Sequence, residues 1–166
     1  MRKLIFVLAV LGAFGSTARA QQAQQAPPTI EQVMQRQWNN ITGKIIAMAK
    51  DLPEDKWDYR IHKDTRSGIE ELWHCMASMQ SAALFIKGTP VRGEEANKLF
   101  SNEGKPRNRA EIVAAMEKAA KELNDAVGVK ADIRQVGGIE HLGEHYGKLV
   151  QIYRAQGLVP PASRGN

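Results

Sequence analysis

Residues 67–87 read SGIEELWHCMASMQSAALFIK, and this stretch decides the fold class. Its apolar side chains recur at the three- and four-residue steps of one helical face, namely Ile69, Leu72, Trp73, Met76, Met79, Ala83 and Ile86. Leu84 and Phe85 widen the apolar surface beyond that face, so the sequence predicts a deeply buried helix. Ser67 and Glu70 occupy the two positions of a capping box, which marks the helix start.

Three more helices are predicted from the same kind of periodicity. They cover about residues 30–50, 108–127 and 138–156. Thr29 and Asn108 stand at N-cap positions, and Gly157 followed by Pro160 ends the last helix. No segment alternates at period two, so the sequence predicts an all-α four-helix bundle.

The connections between these helices are unequal in length. Residues 88–107 are rich in Gly, Pro, Asn and Lys and predict a long crossover between helices 2 and 3, with about one helical turn near residues 94–99. In the connector at residues 53–66, Trp57 and Tyr59 are expected to fold back over the core. Gly128, Gly137 and Gly138 are interpreted as loop or turn glycines.

The first residues are typical of an export signal rather than of the fold. Basic residues 2–3, an apolar run at residues 4–14 and Ala18-Arg19-Ala20 predict a signal peptide at residues 1–20. Residues 21–28 read QQAQQAPP and predict a flexible tether, which leaves residues 29–166 as the domain. The protein is therefore expected to be exported, to the periplasm or the extracellular space, with no membrane anchor after cleavage.

Charge and cysteine content narrow the partners. The full chain carries +5, but without Arg2, Lys3 and Arg19 the predicted mature chain has 20 basic and 18 acidic residues, a net charge of +2. Nucleic acid is therefore not an expected partner. Cys75 is the only cysteine, so an internal disulfide is excluded, and core filling is its expected role.

The fourth helix carries the candidate metal ligands in the stretch HLGEH. His141 and His145 are four residues apart, about 400° around a helix, so both imidazoles lie on one side, one turn apart. A firm site needs a third ligand, and the remaining histidines are His62 and His74. His74 is chosen because a polar imidazole in so apolar a helix needs a partner.

Other interpretations of these residues remain open. His74 points about 150° away from the centre of the main apolar stripe, although Ala77, Ser81 and Phe85 share its side. A buried histidine can also be hydrogen-bonded with no metal. HLGEH also matches the HxxEH pattern of a peptidase with Glu144 as base, but no Asp or Glu follows His145 to complete that site.

Three stretches carry a resemblance to a known family: DLPEDKWDYR at residues 51–60, TRSGIEELWHCM at residues 65–76 and EHLGEHYGKLVQIYRAQGLVPPASR at residues 140–164. Together they resemble the DinB-like (damage-inducible, YfiT-like) metal-binding four-helix bundles over about residues 30–164. That family binds a divalent metal through one histidine of the second helix and an HxxxH pair of the fourth. The resemblance implies His74, His141 and His145 as the ligands.

The resemblance also implies a range of activities. Characterised members include thiol-dependent S-transferases and a thiol-dependent maleylpyruvate isomerase. This sequence has Tyr146 before Gly147, where many members have a basic residue, and Lys148 where glutamine is common.

The leading functional hypothesis is a metal-dependent enzyme, thiol-transferase-like or hydrolase-like. Zinc or nickel is the expected ion, with iron or manganese as alternatives, because imidazole suits several divalent metals. A small molecule whose identity the sequence does not give is the expected substrate, and a homodimer through an apolar helix face is compatible with the sequence. The alternative hypothesis is a non-catalytic exported bundle that binds a metal or a partner.

Overall fold

The computed structural model describes residues 26–129 and 132–165, and all regular structure in these residues is helical. The predicted signal peptide and residues 21–25 of the predicted tether lie outside the described residues. Five helices are present there: α1 (Ile30–Asp51), α2 (Gly68–Lys87), α3 (Gly93–Phe100), α4 (Arg109–Val129) and α5 (Val136–Ala155). Short 3₁₀ turns are found at Glu54–Lys56, Ile133–Gln135 and Pro161–Ser163. Among the described helices, none combines the length and apolar character needed to cross a membrane.

The predicted helix starts are confirmed by their caps. Thr29 caps α1 and Ser67 caps α2, each through a capping box in which Gln32 or Glu70 bonds back to the cap backbone. The side chain of Asn108 accepts a hydrogen bond from the backbone of Glu111 at 3.2 Å. Each cap satisfies backbone N–H groups that have no partner inside the helix, which is why these polar residues define where the helices begin.

The glycine interpretation is wrong at three positions. Gly128 lies inside α4, and Gly137 and Gly138 lie inside α5, so both helices extend further than predicted. An ideal Cβ at Gly138 would lie 2.7 Å from Cη2 of Trp38, and one at Gly128 would lie 2.6 Å from Nε2 of Gln35. At Gly138 glycine therefore allows α5 to approach the Trp38 ring of α1 closely, whereas at Gly128 only the end of a flexible glutamine side chain lies near.

The four long helices surround one core, and the relative helix directions follow from contacts between them. Tyr153 donates to the carbonyl of Met48 at 2.8 Å, and Gly138 lies against Trp38, so α5 runs parallel to α1. Glu71 pairs with His145 and Ser78 lies beside His141, so α2 runs antiparallel to α5. Helix α4 packs against both α1 and α2, and α5 also packs against both.

The crossover that connects α2 to α4 in sequence runs back along the length of α2. It contains the eight-residue helix α3, which is longer than the single turn predicted. Indole Nε1 of Trp73, near the start of α2, donates to the carbonyl of Pro106 at 2.9 Å. The crossover therefore ends at the same end of the molecule at which α2 begins, and α3 lies along the side of α2.

The connector between α1 and α2 covers the core through one aromatic residue. Trp57 is buried, and its indole N–H donates to the carbonyl of Leu52 at 3.1 Å. Tyr59 is exposed, so the expectation that it also covers the core is wrong. Phe85, predicted to enlarge a buried surface, has 48% of its area exposed.

Candidate metal centre

Helices α2 and α5 bring together the three histidines that the sequence selects. His74 lies on α2, and His141 and His145 lie one turn apart on α5. His145 is buried, His74 is half-buried and His141 is exposed. The fourth histidine, His62, lies in the exposed connector, and its Nδ1 accepts from the backbone N–H of Asp64. Among the described residues, the three helical histidines are the group whose ligand atoms lie close enough to hold a metal ion.

The distances between the imidazole nitrogens fit the coordination sphere of a small divalent cation. One ligand atom from each of the three histidines lies within 4.8 Å of the other two. The Nε2 atoms of His74 and His141 are 3.4 Å apart. In a tetrahedral site, bonds of about 2.0–2.1 Å from zinc to nitrogen place the nitrogens about 3.4 Å from each other. The His74–His141 pair already has this spacing, and a ligand atom of His145 lies within 4.8 Å of both.

A buried carboxylate orients the most buried of the three imidazoles. The Nδ1 of His145 is hydrogen-bonded to Oε1 of Glu71, and the two side chains are only 3% and 2% exposed. With Nδ1–H donated to this carboxylate, Nε2 of His145 is the nitrogen left for a metal. Metal-binding histidines characteristically donate their second N–H to a carboxylate in this way, which fixes both tautomer and ring orientation.

Two further side chains complete the surroundings of the histidines. The partly exposed guanidinium of Arg66 lies 3.8 Å from Oε2 of Glu71. The hydroxyl of Ser78 donates to the carbonyl of His74 at 2.9 Å and lies 3.3 Å from Nε2 of His141. The hydrogen-bonding groups around the histidines thus come from both α2 and α5. Contacts between these groups fix how the two helices are aligned along each other.

Burial also keeps two of the imidazoles in the form that binds metals. It lowers the pKa of His74 to about 4, with a smaller contribution from the neighbouring His145. Burial and His145, in the same order, lower the pKa of His141. Both imidazoles are therefore neutral at pH 7, and a cation would not have to displace protons from them.

The other chemically interesting residues lie apart from this cluster. Cys75 is fully buried in the core, and burial raises the pKa of its thiol, which agrees with core filling. Glu144 is exposed on α5 and is not part of the three-histidine group.

Sequence reasoning missed Glu71, although a signal was present. It stands one position before Leu72 and four before Cys75, on a face that is otherwise buried, where a carboxylate needs a partner.

Comparisons of the chain with protein-family models, with curated proteins and with solved structures find no match.

Proposed function

We propose that the protein binds one divalent metal ion through His74, His141 and His145, and that the ion serves an enzymatic reaction on a small molecule. The observation that carries this proposal is the convergence of three imidazole donors within 4.8 Å at the α2–α5 interface. The carboxylate of Glu71 supports it, because a buried acid that orients one imidazole is characteristic of metal sites.

The donor set favours a catalytic site over a purely structural one. Structural zinc sites are closed by four protein ligands, whereas catalytic sites keep an open position. No fourth His, Cys, Asp or Glu joins the three histidines within the described parts of the chain. An ion bound there would supply Lewis acidity and lower the pKa of a water or thiol bound to it.

Two residues near the histidines, Glu71 and Ser78, would position groups at the metal site. Glu71 holds His145 in one tautomer and one orientation. The hydroxyl of Ser78 donates to the carbonyl of His74 and lies 3.3 Å from Nε2 of His141, so its oxygen could still accept a hydrogen bond beside that imidazole. These roles suit thiol transfer and hydrolysis alike, since both need a nucleophile held next to an electrophilic centre.

We further propose that the four long helices form a bundle of the DinB-like type. The support is the pattern of directions, in which α1 and α5 run one way and α2 runs the other, together with the long crossover that follows α2. An experimental structure with the helices in a different order around the core would contradict this.

Elemental analysis of protein purified without a histidine tag tests the metal site. We expect about one equivalent of a divalent metal per chain in the wild type and a loss of that metal in His141→Ala. His62→Ala is the matched control, because His62 is the one histidine outside the cluster and should leave the metal content unchanged.

Two outcomes would contradict the proposal. One is unchanged metal content in His141→Ala, and the other is equal loss in His62→Ala. A protein that binds the metal but shows no thiol-transfer or ester-hydrolysis activity, and whose melting temperature falls on metal removal, would support the non-catalytic alternative.

A further inference from the structure

A cavity adjoins the candidate metal centre in the groove between α2 and α5. Its volume is about 390 Å³, and its lining includes Ser78 and His141 at one end and Ile86 and Arg134 at the other. Small-molecule sites in proteins usually measure about 300–1,000 Å³. The cavity is therefore large enough for a small ligand, and it opens beside an imidazole of the candidate centre.

The shape of this cavity is elongated. Ser78 and Ile86 are eight residues apart on α2, which is about 12 Å along a helix. A second cavity of about 230 Å³ shares Ile86 and Arg134 and continues the groove beyond them. A molecule lying in the groove would have one end at the histidines and its body along the helices.

The walls of the cavity are apolar and aromatic. Phe85 and Phe100 line it, and 48% and 37% of their areas are exposed, although both are large apolar side chains. The ring of Phe100 lies 5.3 Å from that of His74, so the apolar wall begins at the candidate metal centre. Contiguous exposed apolar surface of this kind in a concave site marks a place where a ligand is bound.

The polar groups of the cavity refine the chemistry of its occupant. Trp38 lines the cavity, but its indole N–H is shielded from solvent, so this residue adds apolar rather than hydrogen-bonding surface. At the far end, Arg134 donates two hydrogen bonds to the carboxylate of Asp132, at 2.9 and 2.6 Å. Because that carboxylate already matches the guanidinium charge, the far end does not require an anionic group.

We propose that this cavity binds an elongated small molecule with an alkyl or aryl body in the groove and a metal-ligating thiol, carboxylate or hydroxamate group at the histidines. The inference rests on the proposed metal site, because the head group needs the metal. It adds the substrate class, which the three histidines alone do not give.

A chain-length series tests the inference by calorimetry on zinc-loaded protein. The probes are acetohydroxamate, butyrohydroxamate, hexanohydroxamate and octanohydroxamate. Each buried methylene is expected to tighten binding by about fourfold until the chain fills the groove. Phe85→Ala should weaken octanohydroxamate at least fivefold and leave acetohydroxamate unchanged.

The controls separate the cavity from general effects on the surface or the fold. Tyr59→Ala removes an exposed aromatic side chain outside the cavity and should leave both affinities unchanged. Ala82→Leu fills the cavity from α2 and should weaken octanohydroxamate as Phe85→Ala does, which provides a second variant if the first does not fold.

Three results would overturn the inference, and metal analysis of each sample tells them apart. Affinity independent of chain length, in protein that holds its zinc, overturns the cavity and leaves the metal site standing. Protein that binds no zinc overturns both proposals. A dimer in sedimentation analysis that Phe85→Ala dissociates, without hydroxamate binding, would assign this surface to a second copy of the chain.

Discussion

The interface between α2 and α5 has a closed half and an open half. In the closed half, an ideal Cβ at Gly68 would lie 3.6 Å from Cγ2 of Ile152 on α5, and Glu71 and His145 are almost completely buried. In the open half, His141 and Phe85 are exposed and a cavity of about 390 Å³ separates the helices. The same two helices therefore provide both buried and accessible surface along one interface.

The difference arises from what covers each half. Trp57 of the connector packs over the closed half and donates to the carbonyl of Leu52. Tyr153 of α5 and Arg164 of the segment after α5 donate hydrogen bonds to α1. The short helix α3 lies beside the open half and leaves part of the groove uncovered. The histidine cluster lies at the boundary, so His145 is held by a buried carboxylate while His141 lines the groove. A binding site needs both a fixed ligand and an open approach.

Removing the buried carboxylate of Glu71 should have the largest effect on stability and on metal affinity. Glu71→Ala leaves Nδ1 of His145 without its partner in a buried position. We expect the free energy of unfolding to fall by about 2–3 kcal/mol, the usual effect of losing a buried hydrogen bond to a charged group. Metal affinity should fall about 10–100-fold, because the imidazole loses its orientation. Urea unfolding and competitive metal titration measure the two effects.

The variant Glu71→Gln separates orientation from charge. Its amide oxygen can still accept from Nδ1–H of His145, so we expect a smaller loss of both stability and metal affinity than in Glu71→Ala. Equal metal affinity in wild type and Glu71→Ala would show that the carboxylate has no part in positioning His145.

Adding a methyl group where α5 lies against Trp38 of α1 should have an intermediate effect on stability. In Gly138→Ala the new methyl group would lie 2.7 Å from the buried ring of Trp38, which cannot move aside as a flexible side chain would. We expect a net destabilisation of about 1–2 kcal/mol, since overpacking outweighs the better helix propensity of alanine.

Gly147→Ala on the same helix is the matched control. An added Cβ there meets nothing within 4 Å, so only helix propensity changes and stability should rise by up to about 1 kcal/mol. Thermal unfolding of both variants measures the contrast. A stabilised Gly138→Ala protein would mean that α5 does not approach Trp38 this closely.

Local features of the sequence were sufficient to predict the helices and two of the site residues. The capping residues Thr29 and Ser67 determine helix starts through bonds to neighbours three positions away, so their effect is visible in a short window. The proximity of His141 and His145 is likewise a property of helix periodicity alone. The choice of His74 also needed the burial argument, and the structure brings its ring within 5.5 Å of both other histidines.

The features that sequence reasoning missed depend on contacts between distant elements. Glu71 is hydrogen-bonded to a residue 74 positions away, and Gly138 is needed because the ring of Trp38 on another helix lies against it. Phe85 was expected to be buried because periodicity shows how much of a helix surface is apolar, but not whether a neighbour covers it. Phe85 stays 48% exposed and lines the groove beside α2.

The smallest effect is expected at the outer end of the closed half, where the chain after α5 returns to α1. Arg164 donates to both carboxylate oxygens of Asp51, at 2.8 and 2.6 Å, and these hydrogen bonds hold the pKa of Asp51 below its usual 3.8. A carboxylate with a lowered folded-state pKa stabilises the fold above its unfolded pKa, and this stabilisation is lost as the pH falls through the folded value. Arg164→Ala should therefore lower the melting temperature at pH 6 by only about 1–3 °C, because the pair is exposed to solvent. The difference between the variant and the wild type should shrink as the pH falls through the folded pKa of Asp51, and the remainder reports the hydrogen bonds from Arg164 to the carbonyl of Val159. A difference that does not change with pH would show that Arg164 acts through those bonds and its packing rather than through the ion pair.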